Sequence, residues 1–204
     1  MPSKTKSAKS RIYQLKITIK DIRPPVWRRL RVPGNVTFQR LHEIIQDAFG
    51  WTDSHLHEFL VGGIRYGDPE GYGEFETESN YRDEAEFVLE RIVRAPRKRF
   101  VYTYDFGDGW RHEILVEKIE DATPGENKLV CVAGRRHCPP EDCGGPWGYA
   151  DFLETLRDPN HEEHEAMLEW IGPGFDPEHF DLDDTNQALS VERPMRDHGV
   201  NWIQ

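Results

Sequence analysis

Tyr13-Gln14-Leu15-Lys16-Ile17-Thr18-Ile19-Lys20 alternates apolar with polar side chains along its whole length. Successive side chains of a strand point to opposite faces, so the run predicts a β-strand with one buried and one wet face. Pro24-Pro25 interrupts the pattern, and a second strand is expected from Val26 to Val32. There Val26, Leu30 and Val32 share a face with Arg28, while Trp27, Arg29 and Arg31 point the other way. Pro33-Gly34-Asn35 reads as a turn. Beyond it Phe38, Leu41, Ile45 and Ala48 recur at helical spacing, with Thr37 placed to cap the start and Gly50 the end. His55 to Val61 reads as a third strand, completing an N-terminal β-β-α-β unit.

The rest of the chain extends this unit. Gly62 to Asp83 has no periodicity and is expected to be a long loop, and residues 87–94 suit a short helix or a strand. Phe100 to Phe106 and Trp110 to Ile119 are expected strands of a hairpin turning at Asp108-Gly109, a pair suited to a type I′ turn. Leu129 to Ala133 adds a strand, and Arg135 to Trp147 is a loop. Two apolar stripes follow at helical spacing: Tyr149, Phe152, Leu153 and Leu156, then His164, Met167, Leu168 and Ile171. Asp158-Pro159 is placed to start the second of these helices, and a third is expected near Asp183. The fold class is α+β: a mixed, mostly antiparallel sheet with a central hairpin and C-terminal helices packed on it.

Length and charge set the organisation. The 204 residues suit one domain, expected over residues 11–190, between a disordered basic tail at 1–10 and a loosely held stretch at 191–204. No apolar run approaches a membrane span, and the basic start leads into no apolar segment of a secretory signal. Three cysteines, Cys131, Cys138 and Cys143, cannot all pair within one chain, which favours a reducing cytoplasm with free thiols or a metal. The net charge is −11, yet residues 1–40 hold 11 Lys and Arg against the single acid Asp21. That basic edge suits phosphate, or the acidic remainder of the same molecule.

Four groups of residues offer chemistry. A two-residue turn at Asp108-Gly109 would set Asp105 opposite His112, where a carboxylate could orient an imidazole. His55 and His57 would share a face of their strand, as in His-x-His metal pairs. Cys138 and Cys143 stand at the edge of zinc spacing, around the adjacent carboxylates Glu141 and Asp142. His161 and His164 lack the His-Glu-x-x-His spacing of zinc proteases. No phosphate-binding glycine loop, dinucleotide fingerprint or hydrolase elbow is present in the sequence.

Several stretches together carry a resemblance. They are Ile17 through Trp27-Arg28, Leu41-His42-x-x-Ile45-x-x-Ala48-Phe49-Gly50-Trp51 and His55-Leu56-His57-Glu58-Phe59. Tyr104-Asp105-Phe106-Gly107-Asp108-Gly109-Trp110-x-His112, Cys138-Pro139-Pro140-Glu141-Asp142-x-Gly144-Gly145 and Phe175-Asp176-Pro177 follow. The whole resembles the plasmid pRiA4b open-reading-frame-three-like family over roughly residues 10 to 190. The resemblance implies an α+β fold with no established activity, and a frequent label of resolvase or mobile-element passenger. The chain lacks the Tyr-x-Arg-x-Ser setting of serine resolvases and the His-x-x-Arg box of tyrosine recombinases.

The leading expectation is therefore a non-catalytic, cytoplasmic binding or adaptor module associated with mobile genetic elements. It would contact nucleic acid or another protein through Trp27, Arg28, Arg29 and Arg31, and no membrane. The alternative is a metal-binding protein or metal-dependent hydrolase. His55, His57, His112 and Cys138 would hold a divalent ion such as zinc, with Asp105, Glu141 and Asp142 as catalytic acids and bases.

Overall fold

In the computed structural model, which describes residues 10–69, 81–123 and 129–191, the opening alternation becomes β1 (Arg11–Ile19). Tyr13, Leu15, Ile17 and Ile19 are at most 1% exposed. β2 (Trp27–Pro33) pairs antiparallel with β1 and sends Arg28, Leu30 and Val32 to the same buried side. α1 (Phe38–Phe49) then covers that side with Phe38, Leu41, Ile44, Ile45 and Ala48. Its ends are those read from sequence: Thr37 accepts from the Arg40 amide at 3.1 Å, and Gly50 takes the left-handed conformation with φ 84°.

The sheet has eight strands among the described residues. Besides β1 and β2 they are β3 (His57–Val61), β4 (Ile64–Gly67), β5 (Tyr81–Asp83), β6 (Arg99–Tyr104), β7 (Trp110–Asp121) and β8 (Val130–Arg135). Their order is β5-β4-β3-β6-β7-β1-β2-β8, antiparallel throughout except for the parallel β4–β5 pair. The expected loop from Gly62 to Asp83 thus contributes two strands, and residues 70–80 lie outside the described residues. Short edge strands of this kind carry little alternation to read. The segment at 87–94 resolves into the one-turn α2 (Leu89–Ile92).

Three helices complete the chain: α3 (Gly145–Arg157), α4 (His164–Ile171) and α5 (Leu182–Ser190). Asp158 does not start α4. It closes α3, and its side chain accepts from the Asn160 amide at 2.9 Å, while α4 begins at His164 with no side-chain cap. Asp181 caps α5, accepting from the amides of Asp183 and Asp184 at 2.8 and 2.9 Å. From α5, Asn186 takes the Cys131 amide at 2.8 Å and donates to the Cys131 carbonyl at 3.0 Å. That clasp occupies backbone groups of the edge strand β8. The expected tails lie outside the described residues, apart from Ser10 and Val191. No helix among the described residues is long and apolar enough to cross a membrane.

Candidate metal centre

The central hairpin turns differently from the expected two-residue loop. Tyr104 pairs with Trp110 and Tyr102 with His112, so five residues, Asp105 to Gly109, form the connection. Asp105 ends β6 by taking φ 54°, and its Oδ1 accepts from the amides of Gly107 and Asp108 at 2.9 and 3.3 Å. Its carbonyl accepts from Gly109 at 2.6 Å. Such local aspartate bonding competes with the strand ladder. Asp105 therefore does not face His112, and the expected acid–imidazole pair across the hairpin is not formed.

Asp105 meets a different histidine. Its amide donates to the Leu56 carbonyl at 2.8 Å, which ties the loop to the segment before β3. His55 Nε2 then lies 3.8 Å from Asp105 Oδ2 and 3.2 Å from Asp142 Oδ1. These three donor atoms lie within 4.8 Å of one another. The His55 nitrogen is buried and makes no hydrogen bond, although the side chain is 29% exposed and that of Asp142 is 73% exposed. Two donors about 2.1 Å from one ion sit about 3.0 to 3.4 Å apart at octahedral or tetrahedral angles. The shorter separation already fits that range, and the longer one needs a small closure.

Glycines hold the far side of the site in place. A Cβ on Gly145, at φ 69°, would lie 2.2 Å from the Asp108 carbonyl oxygen, so only glycine lets the hairpin loop rest here. The Gly144 amide also donates to Asp108 Oδ2 at 3.2 Å. Glu141 fixes the neighbouring backbone: it accepts from the Tyr104 hydroxyl at 2.5 Å, the Thr52 amide at 3.3 Å and the Thr52 hydroxyl. Burial, reinforced by the Glu141 carboxylate, holds the Tyr104 phenol well above its ordinary range. Glu141 is thus engaged in anchoring the loop that carries Asp142.

His57 belongs to a second cluster, so the His-x-His pair divides between two environments. β3 begins at His57, and His55 lies in a bend before it, which removes the expected strand alternation. His57 Nε2 lies 2.9 and 3.1 Å from the Glu84 carboxylate oxygens, with both side chains buried. Its ring stacks on His42 at 3.4 Å between centroids and 3° between planes. Gln46 donates to the Tyr102 hydroxyl at 3.0 Å, Tyr102 to His42 Nδ1 at 2.7 Å, and His42 Nε2 to Asp53 at 2.7 Å. The Asp53 amide donates back to Gln46 at 3.0 Å, so the donors and acceptors close into a ring. The donor atoms of His42, Asp53 and His57 also lie within 4.8 Å. In this cluster, unlike the first, the histidine nitrogens that approach the carboxylates are already hydrogen-bonded within the protein.

The other expected ligands lie apart from both clusters. His112 is fully buried against Phe49, Trp51 and Tyr102, and its Nδ1 donates to the Trp110 carbonyl at 3.1 Å. Burial drives its pKa down to about 3 and keeps it neutral. Burial also pushes the Cys138 thiol well above its usual range and the Cys143 thiol up to about 12. No cysteine joins a three-ligand group among the described residues.

The basic edge is largely neutralised from within. Arg29 forms two bonds to Glu117 at 2.7 and 2.8 Å, and Arg31 lies 3.7 Å from Glu120. Trp27 is covered by Lys16 at 4.9 Å and Arg29 at 5.2 Å from its ring centroid. Arg28 points into the core. Sequence reading missed Glu84 and His42 as partners of His57, and Asp53 as the partner of His42. The one available signal was His42 on the buried stripe of α1, four residues before Gln46.

The comparisons with known proteins agree with this architecture. A sequence model of plasmid pRiA4b ORF-3-like proteins matches residues 11–184. The uncharacterized protein y4hQ of Sinorhizobium fredii (strain NBRC 101917 / NGR234) is 39% identical over 180 residues, covering 87% of this chain and 90% of that protein. The crystal structure of a protein of unknown function, MM3350, from Methanosarcina mazei Go1 matches with a TM-score of 0.76 at 39% identity. That match covers 87% of this chain and 98% of the other. With an eight-stranded, mostly antiparallel sheet and flanking helices, the chain belongs to the plasmid pRiA4b ORF-3-like protein family.

Proposed function

We propose that this protein is a binding module built around a divalent metal ion held by His55, Asp105 and Asp142. The observation that carries the reading is the His55 Nε2 atom, buried without a hydrogen bond beside two carboxylate oxygens at 3.2 and 3.8 Å. An orphaned buried nitrogen costs free energy, and a cation between it and the carboxylates would satisfy all three groups. One imidazole with two carboxylates suits a first-row ion such as zinc or manganese. Three protein ligands leave coordination positions open, and the exposure of Asp142 would let an oxygen donor of a partner or substrate reach the ion. Glu141, already held by Tyr104 and Thr52, positions the Asp142 loop in this reading rather than acting as a base.

A binding role is favoured over hydrolysis because, among the described residues, Glu141 beside the three ligands is already engaged by Tyr104 and Thr52. The internal pairing of Arg29 and Arg31 also moves the expected contact away from the basic edge and toward the ion. The mobile-element association stays an implication of the family resemblance and assigns no residue a role.

Equilibrium dialysis against zinc and manganese, with elemental analysis of the protein, tests the proposal. One equivalent bound by the unaltered chain, and a loss of at least tenfold in affinity in His55→Ala and Asp142→Asn, is expected. Undiminished binding in both variants, or no binding to the unaltered chain, contradicts it.

A further inference from the structure

A separate cavity of about 460 Å³ is lined by Arg28 together with the aromatic side chains Phe49 and Phe180. Arg28 is 4% exposed, and its Cζ lies 5.1 Å from the Phe49 centroid and 4.5 Å from that of Phe180. Gly134 allows this sandwich, since a Cβ there would lie 2.5 Å from Phe180 and 2.9 Å from Arg28 Cδ. Nε of Arg28 donates to the Ala48 carbonyl at 2.9 Å, and Nη1 to those of Trp27 and Arg135 at 3.0 and 3.2 Å. All three acceptors are neutral. Among the described residues no hydrogen bond or ion pair joins Arg28 to a carboxylate.

A buried guanidinium without a counter-ion is costly, and two aromatic faces compensate it only in part. Nε–H and both Nη1–H groups are taken by those three carbonyls, which leaves Nη2 to donate to a carboxylate. Yet Asp47, Glu141, Asp181 and Asp184 also line the cavity. Four acids disfavour a multiply charged anion such as phosphate and favour a ligand that also carries a cation. The volume falls within the range of small-molecule sites.

We propose that this cavity binds a zwitterion of the class of free amino acids and dipeptides, its carboxylate seated on Arg28 and its ammonium held by the acidic lining. The ligand supplies the counter-ion that the fold omits, and the apolar surfaces of Phe49 and Phe180 receive its side chain. This site uses none of the three metal ligands, although Glu141 in its lining also anchors the loop that carries Asp142.

Titration of the full chain with L-leucine, L-leucyl-L-leucine, isovalerate, isoamylamine and inorganic phosphate, followed by NMR chemical shifts, tests the proposal. Leucine or the dipeptide is expected to bind at least tenfold more tightly than isovalerate, isoamylamine or phosphate. Ala188→Trp, which fills the cavity from α5, is expected to abolish that binding with chain folding retained. Asp184→Asn is expected to weaken the zwitterion toward the level of isovalerate. Arg28→Met removes three hydrogen bonds to backbone carbonyls as well as the charge, so Ala188→Trp is the deciding variant. Phosphate or isoamylamine binding as tightly as the zwitterions, no saturable binding by any of the five, or binding undiminished in a folded Ala188→Trp chain overturns the proposal.

Discussion

Two clusters in this molecule are made from the same residue types, histidine with carboxylates, and they differ in how their atoms are satisfied. Around His42 and His57 the side chains of Asp53, Glu84, Tyr102 and Gln46 are buried, and hydrogen bonds of 3.0 Å or less join them to the two rings and to one another. Around His55 the hydrogen-bond ring is missing: a buried nitrogen faces two carboxylates, one of them largely exposed. A saturated network fixes α1 against β3 and β6, whereas an unsaturated one leaves coordinating atoms for a ligand. The difference therefore separates scaffold from site more sharply than residue identity does.

Replacing one member of each cluster breaks the comparison most directly. His42→Ala leaves the Tyr102 hydroxyl and Asp53 without their partner inside the protein, and a loss of about 3 kcal/mol or more in chemical denaturation is expected. His55→Ala removes no hydrogen bond, so its cost is expected to stay below about 1 kcal/mol while metal affinity is lost. Equal destabilisation by the two variants contradicts the distinction.

Next in size is the loop that assembles the open site. Gly145→Ala forces a Cβ into the Asp108 carbonyl at a positive φ, with an expected cost of about 2 kcal/mol and loss of metal binding. At Gly144, φ is 87° but a Cβ would come no nearer than 3.4 Å, to Gly148 Cα. Gly144→Ala should cost about 1 kcal/mol, the conformational part alone. Denaturation midpoints of the pair separate close approach from backbone preference.

A smaller effect concerns acid sensitivity. His112 takes up a proton near pH 6.5 when unfolded but only near pH 3 in its buried position. Between those values the unfolded state binds more protons, so the stability held above pH 6.5 is lost progressively as the pH falls toward 3. His112→Leu removes this dependence. Its thermal midpoint is expected to fall less between pH 7 and pH 4 than that of the unaltered chain. Parallel curves for the two proteins would contradict the assigned neutral state.

The period-two pattern of β1 and the helical stripe of α1 were legible because each element repeats its signal over several turns or pairs. The site was only half legible. Asp105, His55 and Asp142 each stood out as types, but their meeting depends on a loop that one aspartate side chain reshapes. Asp-Gly marked the bend correctly and misplaced the strand end, since the ladder stops at Tyr104. His-x-His failed for a related reason: alternation holds only inside a strand, and His55 precedes it. Glu84 reaches His57 from beside the edge strand β5, a contact that neither periodicity nor spacing encodes.

Zinc titration followed by histidine imidazole ¹⁵N shifts in two-dimensional ¹H–¹⁵N spectra tests the central claim most directly, because a diamagnetic ion reports only the nitrogens it binds and both clusters are seen in one sample. The account predicts that one equivalent of zinc moves the His55 Nε2 resonance by tens of ppm and leaves those of His42 and His57 in place. Zinc-induced shifts of the His42 and His57 nitrogens, with His55 unmoved, would contradict it.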